Sequence, residues 1–416
     1  MTSALCFPWY VGAGHTGRLL EVSRLLEQVG ASATFAYDPT GSMVGSSGRE
    51  TLGLPFRSGK VASPGTHYLG MTGLDDVYAR HGYYHESLIL EDVERDRALI
   101  RKVRPSFVIV HMQPTAVLAA RTEGVPVISI ADADFFVEGE SPWMPWLEGT
   151  PCAVSPFPTS VPAFAAAAES LGLTPPSSAS DLLLGEFTLI ASIEAIEQPA
   201  KTYADVPGLE FIGPMVWDPG VRGPAPPLAK ARRVFATTGG GDVAASNFDR
   251  TVVSAAAAGG KRLSVLVTGA VPLPETHALP FGALTQGIMW SDVVLCHGGH
   301  STILAALQQG RPIVVLGAMS ENEANGRLMV EANGVGHNFW RSECHGGRIR
   351  QLAPSGRPVG DAEHHDAIAQ ELAELLVRTA NDDDMVARCA ALQESLAKAK
   401  GHQAAFFEQI VRNGAT

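Results

Sequence analysis

Three groups of residues in this sequence are of types and spacings that can do chemistry, and the densest is a short turn in its second half. The apolar run Val293 to Cys296 is strand-sized and leads straight into His297, Gly298, Gly299, His300, Ser301 and Thr302, after which Ile303 to Gln309 reads as a helix. The two glycines let a ligand approach the main chain, and free N–H groups at a helix start, with the helix dipole behind them, attract phosphate. In a diphosphate, His297 can donate to one phosphate while Ser301 and Thr302 donate to the other. The plainer reading makes Ser301 a helix cap and His297 a loop residue.

The second group opens the chain. Gly12, Gly14 and Gly17 satisfy GxGxxG between the apolar run Ala4 to Trp9 and a helical pattern, and Asp38 follows near the end of a second strand. Those are marks of a dinucleotide site. His15 stands inside the same turn, and a pyrophosphate-binding turn has no need of an imidazole. With an unperturbed pKa near about 6.5, a histidine is suited to take a proton from a hydroxyl, worth typically about 10²–10⁴-fold. Asp132 and Asp134 follow the strand-like Val127 to Ile130, where they are either catalytic partners of His15 or loop caps. The third group is Thr238 and Gly239, at the end of the apolar run that begins at Arg233. Thr238 can touch a phosphate.

These residues need a scaffold that brings strand ends together. In the first half, strand-like runs at Ala4 to Trp9, Ser32 to Ala36, Phe107 to Val110 and Val127 to Ile130 alternate with helical patterns at Gly17 to Val29 and Glu86 to Lys102. Strands alternating with helices indicate mostly parallel sheets with covered faces. Pro214, Pro219, Pro224, Pro226 and Pro227 interrupt the rhythm, and such a stretch reads as an interdomain linker. Beyond it the alternation resumes at Val234 to Thr237, Leu263 to Val267, Val293 to Cys296 and Ile313 to Leu316. From Asp366 the pattern is helical, with a break near Asn381 to Asp384. The long segments Tyr37 to His85 and Asp132 to Pro162 stand out, since long loops in compact domains are usually functional. Phe135, Phe136, Trp143 and Trp146 in the second of them either line an apolar pocket or seal the core.

Composition narrows the classes. A chain of 416 residues is a prior for two domains. The net charge of −12 and the lack of any basic run argue against nucleic acid as partner. No apolar run approaches the ~18 residues of a membrane span, and the expected location is the cytoplasm, since Met1 to Ser3 shows no basic leader region. Five cysteines without a CxxC pair fit a reducing compartment and argue against a structural zinc site or a disulfide framework.

The His297 to Thr302 turn resembles the donor site of the GT-B glycosyltransferases, in particular nucleotide-sugar transferases of natural-product and antibiotic biosynthesis. The likeness runs on through Ala305 to Leu316 and to Glu321, Asn322 and Asn325. In that family an acidic–amide pair holds sugar hydroxyls, and Asn322 stands here where the usual residue is glutamine. What the resemblance implies is two Rossmann-like domains facing across a cleft: residues 1–215 for the acceptor, 216–230 as linker, 231–380 for the nucleotide sugar, and 381–416 packing back on the first domain. It further implies an inverting hexosyl transfer from a UDP- or dTDP-sugar to the hydroxyl, or another nucleophile, of a small acceptor. His15 would be the base, helped by Asp132 or Asp134, because His111 occupies the place where the family has its orienting aspartate. Donor contacts would come from Thr238, Gly239, Phe281 (stacking on the base), His297, Gly298, Gly299, His300, Ser301, Thr302, Glu321 and Asn322. Acceptor contacts would come from Gly14, Phe135, Phe136 and Trp143. Neither metal nor further cofactor is expected, and the protein would be a monomer or homodimer. The alternatives are an NAD(P)- or flavin-dependent oxidoreductase using the GxGxxG turn, a nucleotide-sugar epimerase, and a non-catalytic partner protein.

Overall fold

The apolar runs form strands buried on both faces. In Phe107–His111 every residue is buried, yet Val108 and Val110 pack into one core while Phe107 and Ile109 pack into another. Val293–Cys296 splits the same way, with Val294 and Cys296 facing one core and Val293 and Leu295 the other. Alternate residues on a strand face opposite sides, so a continuous apolar strand requires cover on each. The structure is a computed structural model, and it describes residues 2–9, 13–38, 43–52, 68–137, 142–154, 157–197, 206–226, 230–238, 245–268 and 276–413. Gly12 and Gly239 lie outside the described residues.

The first sheet contains β1 (Ser3–Phe7), β2 (Ser32–Phe35), β3 (Phe107–His111), β4 (Val127–Ala131), β5 (Phe187–Ile190) and β6 (Leu209–Phe211), in the order β2-β1-β3-β4-β5-β6. The second contains β7 (Arg232–Thr237), β8 (Leu263–Thr268), β9 (His277–Leu279), β10 (Val293–Cys296), β11 (Ile313–Val315) and β12 (Gly336–Asn338), in the order β12-β11-β10-β7-β8-β9. Every pairing in both sheets is parallel. Two Rossmann-like α/β domains result, as expected. In each sheet the strand order reverses once, between β1 and β3 and between β7 and β10. Loops leaving such a switch point diverge and open a crevice at the carboxyl ends of the strands.

Four helices matter for the site: α1 (Ala13–Gln28), α2 (Glu86–Val103), α3 (His300–Leu307) and α4 (Asp383–Asn413). Helix α1 starts four residues before Gly17, so His15 sits in its first turn and not in a loop ahead of it. Helix α4, roughly 46 Å long at 1.5 Å per residue, serves both domains. Cys389 and Leu396 belong to the core of the second sheet, and Phe407 and Ile410 to that of the first. It also holds the proline-rich segment: Gln403 Nε2 donates to the Pro214 carbonyl over 3.1 Å.

A hairpin of β13 (Arg341–His345) and β14 (Arg348–Leu352), unanticipated from the sequence, reaches across to the first domain. Ala153 N donates to Gly347 O over 3.1 Å, Trp146 Nε1 donates to Ser342 Oγ over 3.0 Å, and the Arg327 guanidinium lies 4.0 Å over the Trp146 ring. Nearby, Met71 N donates to Ser320 Oγ over 2.9 Å. Among the described residues no helix is long and apolar enough to cross a membrane.

Candidate active site

At the switch point of the first sheet, His15 from α1 meets His111 from the end of β3. His15 Nδ1 lies 2.9 Å from His111 Nε2. The direction of that bond follows from the neighbours. His111 Nδ1 lies 2.7 Å from the Ile130 carbonyl oxygen, which can only accept, so Nδ1 carries the proton. Arg18 Nη1, a donor, approaches His111 Nε2 to 3.1 Å, so Nε2 is the acceptor. His15 therefore donates from Nδ1, and its Nε2 keeps a free lone pair with no partner among the described residues. A base that takes a proton from a substrate needs that arrangement. Burial, and after it Arg18, lowers the His15 pKa to about 4, against an opposing pull from Asp132. His111 falls further below its ordinary value for the same two reasons in the same order.

Arg18 is the hub of a buried ionic cluster that crosses between the domains. It is 3% exposed, and its Nη1 lies 2.5 Å from Asp132 Oδ1 while Nη2 lies 2.6 Å from His300 Nδ1. His300 in turn sets Nε2 2.9 Å from Glu197 Oε1. Burial disfavours ionisation of Asp132, but Arg18, then His300 and His111, outweigh it and hold the carboxyl below the usual range. Two expectations are corrected here. Asp132 does not back His15 directly; Arg18 stands between them because its guanidinium reaches both Asp132 and His111. The His300 ring does not face a donor: it is buried at the domain interface and both ring nitrogens have protein partners. Arg18 and Glu197 escaped the sequence reading. An arginine at helical spacing from Val22 and Leu25, on the side of α1 that is buried, was the available signal.

The matching crevice of the second sheet holds the glycine turn. Gly298 has φ +95, and a Cβ there would overlap the Asn322 carbonyl oxygen and stand 2.8 Å from Val315 Cγ1. Only glycine fits. Asn325 Nδ2 donates to the Gly298 carbonyl over 2.9 Å, which fixes the turn from behind. Helix α3 then begins with Gly299 as N-cap and no side-chain cap, leaving its first N–H groups without helical carbonyls. Ser301 is half-buried and Thr302 buried. The half-buried His297 has its pKa lowered to about 4 by burial, opposed by a bond to the Thr237 carbonyl, and its Nδ1 is buried without a partner. Thr238 follows β7 and is half-buried.

The two helix starts face each other: a methyl group placed on Gly14 would stand 3.5 Å from Ser301 Oγ. Beside them, burial and then Asp132 raise Glu321 to about 7, with His300 and Arg18 pulling the other way. Burial, followed by Asp132, also raises Asp134 well above the carboxylate range. Asn322 is buried with Oδ1 unpartnered. Phe281 is 56% exposed, so its ring is open to a stacking partner. Phe135, Phe136 and Trp143 are packed into the core of the first domain, which is the sealing reading of that loop and not the pocket-lining one. Asp38, the acid of the dinucleotide reading, accepts from Val44 N over 2.7 Å. Among the described residues no group of three His, Cys, Asp or Glu side chains is placed to hold a metal ion.

Neither a protein-family model nor a curated protein sequence matches the chain. Solved structures do. The glycotransferase of kitacinnamycin is 19% identical, with 99% of this chain and 98% of that one covered and a TM-score of 0.67. The calicheamicin glycosyltransferase CalG4 is 17% identical, covering 100% and 98% with a TM-score of 0.65. The Streptomyces sp. SF2575 glycosyltransferase SsfS6, complexed with thymidine diphosphate, is 18% identical, covering 99% of each chain with a TM-score of 0.65. At these identities the likeness speaks for architecture, and the chain has the GT-B fold of two facing Rossmann-like domains.

Proposed function

We propose that the chain is a glycosyltransferase of the hexosyl-transferring class. It moves a sugar from a uridine- or thymidine-diphosphate donor to a hydroxyl or other nucleophile of a small, natural-product-like acceptor, with inversion at the anomeric carbon. The observation that carries this reading is the apposition of two helix starts at two switch points, one bearing a base with a free lone pair, the other a glycine-lined anion cradle. A dehydrogenase would leave the second cradle idle. The thymidine diphosphate held by SsfS6 agrees with a diphosphate at the glycine turn.

In this reading His15 Nε2 takes the acceptor's proton as its oxygen attacks the anomeric carbon from the face opposite the diphosphate. The leaving diphosphate gathers negative charge. His297, the N–H groups of Gly299 to Ser301 and the α3 dipole meet that charge, together with Thr238, Gly239 and Thr302. Glu321 and Asn322 hold sugar hydroxyls, and Phe281 stacks on the base. Residues 1–215 bind acceptor, with Gly14 at the cleft. Residues 231–380 bind donor, 216–230 link the two, and 381–416 tie them together. The enzyme works in the cytoplasm as a monomer or homodimer, with the donor as its only co-substrate.

Calorimetry with UDP and dTDP tests the assignment. His15→Ala should abolish turnover and keep nucleotide affinity, whereas His297→Ala should weaken nucleotide binding itself. Unchanged nucleotide affinity in His297→Ala would defeat the reading.

A further inference from the structure

The base in this site has no carboxylate behind it. His15 has a single N–H on the side away from the cleft, and His111 Nε2 takes it at 2.9 Å. That position is therefore closed to any acid. The group next in line is the Arg18 guanidinium, 3.1 Å from the same His111 nitrogen. Asp132 reaches the site only through Arg18, at 2.5 Å, and its charge is already matched there. The titratable groups facing His15 are thus His111 from β3 and Arg18 from its own helix, with Asp132 after β4 set behind Arg18. When His15 Nε2 accepts a proton, the new imidazolium meets a neutral imidazole and a cation instead of an anion. A base arranged this way is weak, and burial lowers its pKa to about 4.

We infer that the acceptor nucleophile is an acidic hydroxyl, a phenol, and that His111 is the positioning residue that restricts the site to it. The inference rests on the glycosyl-transfer reading. A phenol near pKa ~10 gives its proton to His15 Nε2 as its oxygen lone pair forms the bond to the anomeric carbon. The bond from that carbon to the diphosphate oxygen breaks, and its electron pair leaves with the nucleoside diphosphate. The proton passes from His15 to solvent. An aliphatic alcohol is a much weaker acid and depends far more on imidazolium stabilisation that this dyad does not supply.

The experiment measures nucleoside diphosphate release from dTDP- and UDP-sugars with para-substituted phenols of graded acidity and with benzyl alcohol, across pH. Phenols should exceed benzyl alcohol by about 10²-fold in kcat/KM, the low end of a general-base contribution. The rising pH limb should stay with the lowered His15 titration for every acceptor, while the plateau rate rises with the acidity of the phenol. His111→Asp should raise the benzyl alcohol rate at least about tenfold relative to the phenols and so narrow the gap between the two classes. If that variant does not fold, the wild-type series decides alone. Benzyl alcohol turned over as well as phenols, with a plateau rate that ignores the acidity of the acceptor, would overturn the inference. So would donor binding without transfer to either class. Failure to bind any nucleoside diphosphate would instead overturn the glycosyl-transfer reading beneath it.

Discussion

Arg18→Met removes the centre of the ionic cluster and leaves its neighbours in place. Arg18 is 3% exposed and bonds three groups, Asp132 at 2.5 Å, His300 at 2.6 Å and His111 at 3.1 Å. Removing one partner of a buried ion pair typically costs about 3–5 kcal/mol, because the other charge is stranded. Asp132 would not be wholly stranded, since His300 Nδ1 lies 3.3 Å from its Oδ1, so the expected loss is near about 3 kcal/mol. Asp132→Asn in the same background should restore part of it, with a coupling of about 1–3 kcal/mol in the double-mutant cycle. Arg18→Lys should recover little, because an ammonium cannot span three partners as a planar fork does.

The same substitution should move the base. Arg18 is one of the causes of the depressed His15 pKa, after burial. Without the guanidinium, imidazolium is less disfavoured, so the His15 titration should rise from about 4 towards the ordinary value of about 6.5. Urea unfolding gives the stability change, and NMR titration of the histidine ring protons gives the pKa. A loss under about 1 kcal/mol, additivity with Asp132→Asn, and an unmoved His15 titration together would refute the cluster as a coupled unit.

Three further outcomes can be checked. His297→Ala should weaken nucleoside diphosphate binding by about 10–150-fold, the worth of one charge-assisted hydrogen bond at about 1.5–3 kcal/mol. Because His297 is neutral in the free protein, wild-type binding near pH 6 should draw up a proton, visible as a buffer-dependent calorimetric enthalpy that the variant loses. Gly298→Ala should destabilise the fold by about 2–4 kcal/mol, since a positive φ and overlap with the Asn322 carbonyl act together; a wild-type melting temperature would contradict it. Glu321 has a folded pKa raised by burial to about 7, so its contribution is present below the unfolded value of about 4.5 and lost as pH rises through 7. Glu321→Gln should therefore gain about 1–3 kcal/mol on the wild type at pH 8 compared with pH 5 in urea unfolding, and an equal difference at both pH values would speak against it.

The long apolar strands were legible because burial on both faces leaves an unbroken run: Val293–Cys296 has the same ends in sequence and structure. Leu209–Phe211 and His277–Leu279 were not, being three-residue edge strands with too few positions for any period to show. Helix α1 was placed late because Gly14 and Gly17 look like a loop, whereas tertiary packing against β1, β3 and α4 carries those weak formers into the first turn. Of the site, His15 and the His297 turn were readable from residue type and position beside a strand end. The wiring between them was not. That Arg18 meets His111, 93 positions on, and that His300 turns inward to Glu197, 103 positions back, depends on residues far apart in the chain, and no local pattern encodes such a meeting.

That wiring bears on how the two domains meet. Most of the contacts binding them are neutral: the Met71–Ser320 bond, the Ala153–Gly347 bond and the Trp146–Ser342 bond. The His300 contacts differ, because they carry charge and pass through the residue that faces the base. Arg18 and Asp132 belong to the first domain, and His300 opens the helix that would hold the donor's diphosphate. A donor diphosphate seated at α3, as proposed, would place negative charge beside this cluster, and Arg18 would link that charge to His111 and His15.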